Sequence, residues 1–138
     1  MALLEYRSLI KTGPYDAYCY FVAAKGMITA GDLGTAQSLL RSSLKLKKTA
    51  EANKWLGQLL FRLRRVAESL PYLKAAVKGL PNDPQLKFFI GGAYVLSNQQ
   101  EKAQTVLQEL QALSPDYRGT NKLKRMIEAR WKSGEVAK

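Results

Sequence analysis

Residues 50–83 read AEANKWLGQLLFRLRRVAESLPYLKAAVKGLPND, and the fold follows from this stretch. Its apolar residues recur at three- and four-residue steps in two blocks, 50–63 and 66–79, with a short turn between them. Such spacing places one apolar face on each of two helices, whereas a half-buried strand would alternate. Thr49 stands before the first block as an N-cap, and Leu80-Pro81-Asn82-Asp83 turns the chain after the second. The unit then recurs: the small residues Ala2, Ala36, Ser69 and Ala103 stand 34, 33 and 34 residues apart. One helix pair of this size cannot bury its apolar face alone and must stack on copies of itself. The chain is therefore expected to be an all-α array of antiparallel helix pairs.

Upstream, residues 17–30 and 33–46 form a first pair, with Asp16 as cap and Gly31-Asp32 as the turn. Downstream, residues 84–96 and 99–113 form a third, capped by Asp83, with Pro84 where a missing amide costs nothing. Its middle turn, Ser97-Asn98, is followed by Glu101 at capping-box spacing from Asn98. The expected layout is one domain over 1–138, with repeats at 17–48, 50–83 and 84–116, a capping helix at 118–132 and a tail at 133–138. Gly57 and Gly91, with Ala36 and Ala103 opposite, are expected to let paired helices approach closely, and Pro71 should bend its helix locally. Residues 2–14 match the second helix of a repeat whose first helix is absent, as in a piece of a longer array. That helix is too apolar for a terminal one, so Leu3, Leu4, Tyr6 and Ile10 are expected to form a covered edge, through self-association or an upstream repeat.

Trp55-Leu56-Gly57 followed by Leu60, Ser69, Leu73, Ala76 and Pro81 resembles the tetratricopeptide repeat. In the third copy Ile90-Gly91, Tyr94, Ala103, Leu107, Leu110 and Pro115 fall at the same offsets. The first copy offers Ala23-Ala24, Met27, Ala36, Leu40 and Ser43, but has Lys48 near the place of the terminal proline. In residues 118–132 Arg125 stands where Gly57 and Gly91 stand, which favours a capping helix over a further repeat. The resemblance implies a right-handed superhelical α-solenoid that holds a peptide or partner helix in a concave groove lined by the first helix of each pair.

Carried onto this sequence, the resemblance implies a groove with Tyr18, Phe21, Lys25, Lys54, Gln58, Arg62, Phe88 and Lys122. Phe21 and Phe88 would anchor an extended ligand with acidic and apolar side chains, and Lys25, Lys54 and Arg62 would orient it. The competing reading places Phe21, Phe61 and Phe88 in the core between repeats. Some members of the family grip a free C-terminal carboxylate with Lys and Asn on the first helix and Lys and Arg on the third. Here Phe21, Lys25, Phe88 and Gly92 stand at those places, so that clamp is not expected.

The balance of 22 Lys and Arg against 11 Asp and Glu, a net charge of +11, speaks for an acidic partner or surface. The alternative function is binding to nucleic acid or another anionic polymer through Lys45, Lys47, Lys48, Arg62, Arg64, Arg65 and the basic residues of 118–132. A base-reading array would repeat its polar contacts, yet Lys25, Gln58 and Gly92 at matching positions show no such code. With no histidine, no glycine-rich phosphate loop and a single Cys19 that nothing activates, the chain is expected to be no enzyme and to hold no cofactor or metal. Cys19 is expected to be a small core residue. No run approaches the ~20 apolar residues of a membrane span, and no signal peptide is evident. The expectation is a soluble chain, with the cytoplasm favoured.

Overall fold

A computed structural model describes residues 16–131 of the chain. The half repeat at 2–14 with its edge Leu3, Leu4, Tyr6 and Ile10, and the tail at 133–138, lie outside the described residues. Among the described residues seven helices follow one another: α1 Ala17–Ala30, α2 Leu33–Leu46, α3 Ala50–Arg62, α4 Val66–Gly79, α5 Pro84–Leu96, α6 Gln100–Leu113 and α7 Arg118–Arg130. No strand occurs among the described residues. Contacts run between successive helices and between α3 and α5 and α5 and α7, so each pair stacks on the next. The chain is a right-handed α-solenoid of antiparallel helix pairs.

The starts of the helices are specified locally. The Asp16 carboxylate accepts the Cys19 N–H at 2.9 Å, the Asp32 carboxylate the Thr35 N–H at 3.1 Å, and the Thr49 hydroxyl the Ala52 N–H at 3.1 Å. The Asp83 carboxylate accepts the Leu86 N–H at 3.2 Å, with Pro84 in the first turn. Each satisfies one of the amides that a helix start leaves without an internal partner. Gly31 ends α1 at φ 86, where a side chain would be strained. One cap differs from expectation. Asn98 takes φ 60, Gln99 becomes the residue before α6 with no side-chain cap, and the Asn98 side-chain oxygen instead accepts the Trp131 indole N–H at 3.3 Å. The long-range bond to the end of α7 has displaced the local box. Pro71 lies within α4, exposed, and helix continues on both sides of it.

Buried polar groups between helices are satisfied by short bonds to backbone. Ser43 donates to the Ala17 carbonyl at 2.7 Å, Ser69 to that of Val66 at 2.7 Å, and Thr120 to that of Ser114 at 2.8 Å. A Cβ on Gly57 would stand 2.7 Å from the Leu73 side chain and 3.2 Å from the Leu73 backbone nitrogen. At Gly91 a Cβ would stand 2.5 Å from Leu123 and 3.2 Å from Val106. Both glycines mark close approach. The nearest partners are Leu73 within the pair and Leu123 of α7, rather than Ala36 and Ala103.

The interior divides in two. Phe21, Met27, Leu40, Leu56, Leu59 and Leu60 belong to a cluster built by α1, α2 and α3. Leu73, Leu86, Ile90, Tyr94, Leu110, Leu123 and Trp131 belong to another, built by α4 to α7. Cys19 belongs to neither. It is half-buried in the first turn of α1, a correction to its expected place in the core. A hydrogen bond to the Asp16 carboxylate, with burial and the Asp16 charge adding to it, raises the thiol pKa and keeps it protonated.

Candidate binding face

The first helices of the pairs, α1, α3, α5 and α7, present residues at matching steps. Phe21, Lys54, Phe88 and Lys122 occupy one position, and Lys25, Gln58, Gly92 and Met126 the position one turn later. Around α1 and α3, aromatic rings and one lysine interlock. Phe21 meets Trp55 edge-on, with centroids 6.3 Å apart and planes at 83°. The Lys25 ammonium stands 5.3 Å from the centroid of each ring. Such a cation over an aromatic face contributes about 0.5–1 kcal/mol where exposed. Phe21 itself is only 7% exposed and belongs to the core, whereas Tyr18, at 69%, is open to solvent.

Lys54 is engaged elsewhere. Its ammonium pairs with the Asp83 carboxylate, which also caps α5, so one acid ties the second pair to the start of the third. The same charge, after burial, raises the Tyr117 hydroxyl pKa at the entry to α7. Arg62, one helical turn beyond Gln58, is exposed and makes no ion pair among the described residues.

Around α5 the face is aromatic. Phe61 and Phe89 meet edge-on at 5.3 Å and 89°, and Phe88 and Phe89 at 5.6 Å and 73°. Gly92 makes room for this group. A Cβ there would stand 3.2 Å from the tip of the Phe61 ring and 3.6 Å from the Met126 methyl. Lys122 reaches back from α7 to stand 5.7 Å from the Phe88 centroid, a second cation over a ring on this face.

Between these two groups lies Gln58. It is buried, and its side-chain amide nitrogen has no hydrogen-bond partner among the described residues. A buried donor left unpaired costs about 1–3 kcal/mol, and it faces the side on which Lys25, Lys54 and Arg62 stand by helical spacing. The chemistry this arrangement offers is recognition. It presents one orphan donor, aromatic edges on both sides of it, and ammonium and guanidinium groups at the margins. No three Asp, Glu or Cys residues among those described are grouped so as to hold a metal ion.

The expected groove residues thus separate. Tyr18, Lys25, Arg62, Phe88 and Lys122 keep surface to offer, Gln58 offers a buried donor, Phe21 is covered, and Lys54 is neutralised. Trp55, Phe89, Asp83 and Met126 were not among the expected site residues. The repeat register was the signal that could have found Met126, which shares the position of Lys25 and Gln58.

No protein-family model and no curated protein matches the chain. Solved structures do. MamA from Desulfovibrio magneticus RS-1, residues 41 to the end, superposes with a TM-score of 0.87 at 21% identity, covering 98% of this chain and 77% of that one. YrrB, a TPR protein with an unusual peptide-binding site, gives a TM-score of 0.76 at 16% identity over 98% of this chain and 79% of its own. The first TPR of Spaghetti (RPAP3), bound to the HSP90 peptide SRMEEVD, gives 0.75 at 16% identity over 83% of this chain and 92% of its own. At these identities the likeness is one of fold.

Proposed function

From a chain with the tetratricopeptide-repeat fold, we propose a protein-interaction scaffold that holds an extended peptide or partner helix along the face of α1, α3, α5 and α7. The observation that carries this reading is the orphan amide of Gln58, a buried donor with no acceptor of its own. A peptide carbonyl laid across the face would supply the acceptor. The aromatic groups at Phe21–Trp55 and Phe61–Phe88–Phe89 would flank the bound segment, and Lys25, Arg62 and Lys122 would favour acidic side chains on it. Two of the structural neighbours bear peptides or peptide sites by their descriptions, which supports the class of ligand and not its sequence.

The test is selection of peptides from a displayed random library, followed by titration of the selected peptide into the chain and into Gln58→Met. That variant keeps the shape and removes the donor, so the free protein should be as stable or more stable while the peptide binds several-fold more weakly. Equal affinity for both proteins would sink the role assigned to Gln58. The HSP90 peptide SRMEEVD serves as a negative control and is expected not to bind, because Phe21, Lys25, Phe88 and Gly92 occupy the clamp positions. Binding of a generic polyanion that collapses as salt rises would instead favour the nucleic-acid reading through the exposed Lys45, Lys47 and Lys48.

A further inference from the structure

We propose that the cleft between α4, α5 and α6 binds a phosphate monoester. It is separate from the face of α1, α3, α5 and α7, and the proposal stands without that reading. The cleft has a volume of about 450 Å³, within the range of small-ligand sites.

Lys74 on α4 and Lys102 on α6 converge on one ring. Their ammonium nitrogens stand 5.6 and 5.7 Å from the centroid of Tyr94, a buried residue of α5. A ring can attract one cation, but two cations gathered on the same ring repel each other. Neither lies within 4.0 Å of a carboxylate among the described residues, because the acid of this cleft, Glu109, pairs with the third lysine, Lys87, at 3.2 Å. Three lysines against one glutamate leave two positive charges unanswered. The Tyr94 hydroxyl also makes no hydrogen bond among the described residues.

The neighbouring cleft, between α2 and α4, shows what an answered cation at the equivalent position looks like. Arg41 occupies there the repeat position that Lys74 occupies 33 residues later. Its guanidinium donates to the Tyr72 hydroxyl at 2.9 Å and stands 3.8 Å from the Glu68 carboxylate. The earlier cleft supplies partners for Arg41, although not for its Lys45 and Lys48, and the later one supplies none for Lys74 and Lys102.

The missing partner has a definable chemistry. A carboxylate would balance one of the two charges, whereas a phosphate monoester carries about −1.5 to −2 near neutral pH and three acceptor oxygens. Those oxygens suffice for both ammonium groups and the Tyr94 O–H. Val77, Ile90 and Val106 supply an apolar wall for the carbon side of the ester.

Phenyl phosphate titrated into the intact chain, with Ile and Val methyl groups followed by NMR, tests this. The expected result is saturable shifts at Val77, Ile90 and Val106, with affinity weakened about tenfold or more in Lys74→Gln/Lys102→Gln. Both lysines are exposed, so the fold should survive the change. Tyr94→Phe, which keeps the ring and loses only the hydroxyl, should weaken binding less. Lys45→Gln/Lys48→Gln, on the other cleft, should leave affinity unchanged. A phosphoserine peptide and inorganic phosphate run beside the ester identify the source. Tighter binding of the peptide assigns the site to a phosphorylated partner, tighter binding of phenyl phosphate assigns it to a free ester, and either supports the site. Shifts that do not saturate, or an affinity unchanged in Lys74→Gln/Lys102→Gln, would overturn it.

Discussion

Two clefts along the α2, α4 and α6 side of the array are built at the same step of the repeat, yet they treat the equivalent cations Arg41 and Lys74 differently. In the first, Arg41 is held by the Tyr72 hydroxyl, and Glu68 serves both Arg41 and Arg65, the latter through two bonds of 2.9 Å. In the second, Lys74 and Lys102 share the face of Tyr94 and meet no acid. A lysine over an aromatic ring is therefore not one kind of evidence. Lys25 stands alone between two rings, while two lysines on one ring form a site whose charge must be completed from outside.

The strongest way to break the contrast is Gly91→Leu. The new side chain would meet Leu123 and Val106, overpacking the second cleft from behind at a cost of about 1–3 kcal/mol while leaving Arg41 on Tyr72. Urea midpoints should fall, with methyl shifts at Val106 and none at Leu44. Next in size is Arg41→Met, which removes the guanidinium from Tyr72 and Glu68 and should lower stability by about 1 kcal/mol in the same measurement. Lys74→Glu would give the second cleft a second acid, beside Lys102. Stability should change by no more than about 1 kcal/mol, while phenyl phosphate binding should disappear; retention of that binding would contradict the charge argument. The smallest effect belongs to Glu68→Gln. Its carboxylate is about half exposed, so stability should move by less than about 0.5 kcal/mol. Released from their acid, Arg41 and Arg65 should now let phenyl phosphate shift the Leu44 methyls, and a silent Leu44 would show that the two clefts differ by more than charge.

Much of the fold was legible because it is set locally and repeated. Asp16, Thr49 and Asp83 cap the helices they were expected to cap, and the helix ends agree with the reading to within a residue or two. Where the reading failed, a distant group had won. Asn98 bonds to Trp131, so the local pairing with Glu101 that its spacing suggested does not form. The same holds for the binding face. The family resemblance put Phe21, Lys54 and Gln58 on it, but it did not reveal that Trp55 covers Phe21, that Asp83 neutralises Lys54, or that Gln58 is buried without a partner. Those outcomes depend on residues about one repeat away. Lys74 and Lys102 look like ordinary solvated positions in sequence, and only the packing of α4, α5 and α6 brings both to Tyr94.

The division of the interior between α3 and α4 has a consequence for how the molecule comes apart. Leu73 of the second cluster packs on Gly57 of α3, and Tyr72 of α4 packs on the first cluster, so the α3–α4 hairpin joins the two. In an array whose elements contact only near neighbours, a hairpin shared by both clusters couples them into one cooperative unit. Amide exchange should therefore give α3 and α4 a common class of protection, with any lower class confined to the outer helices.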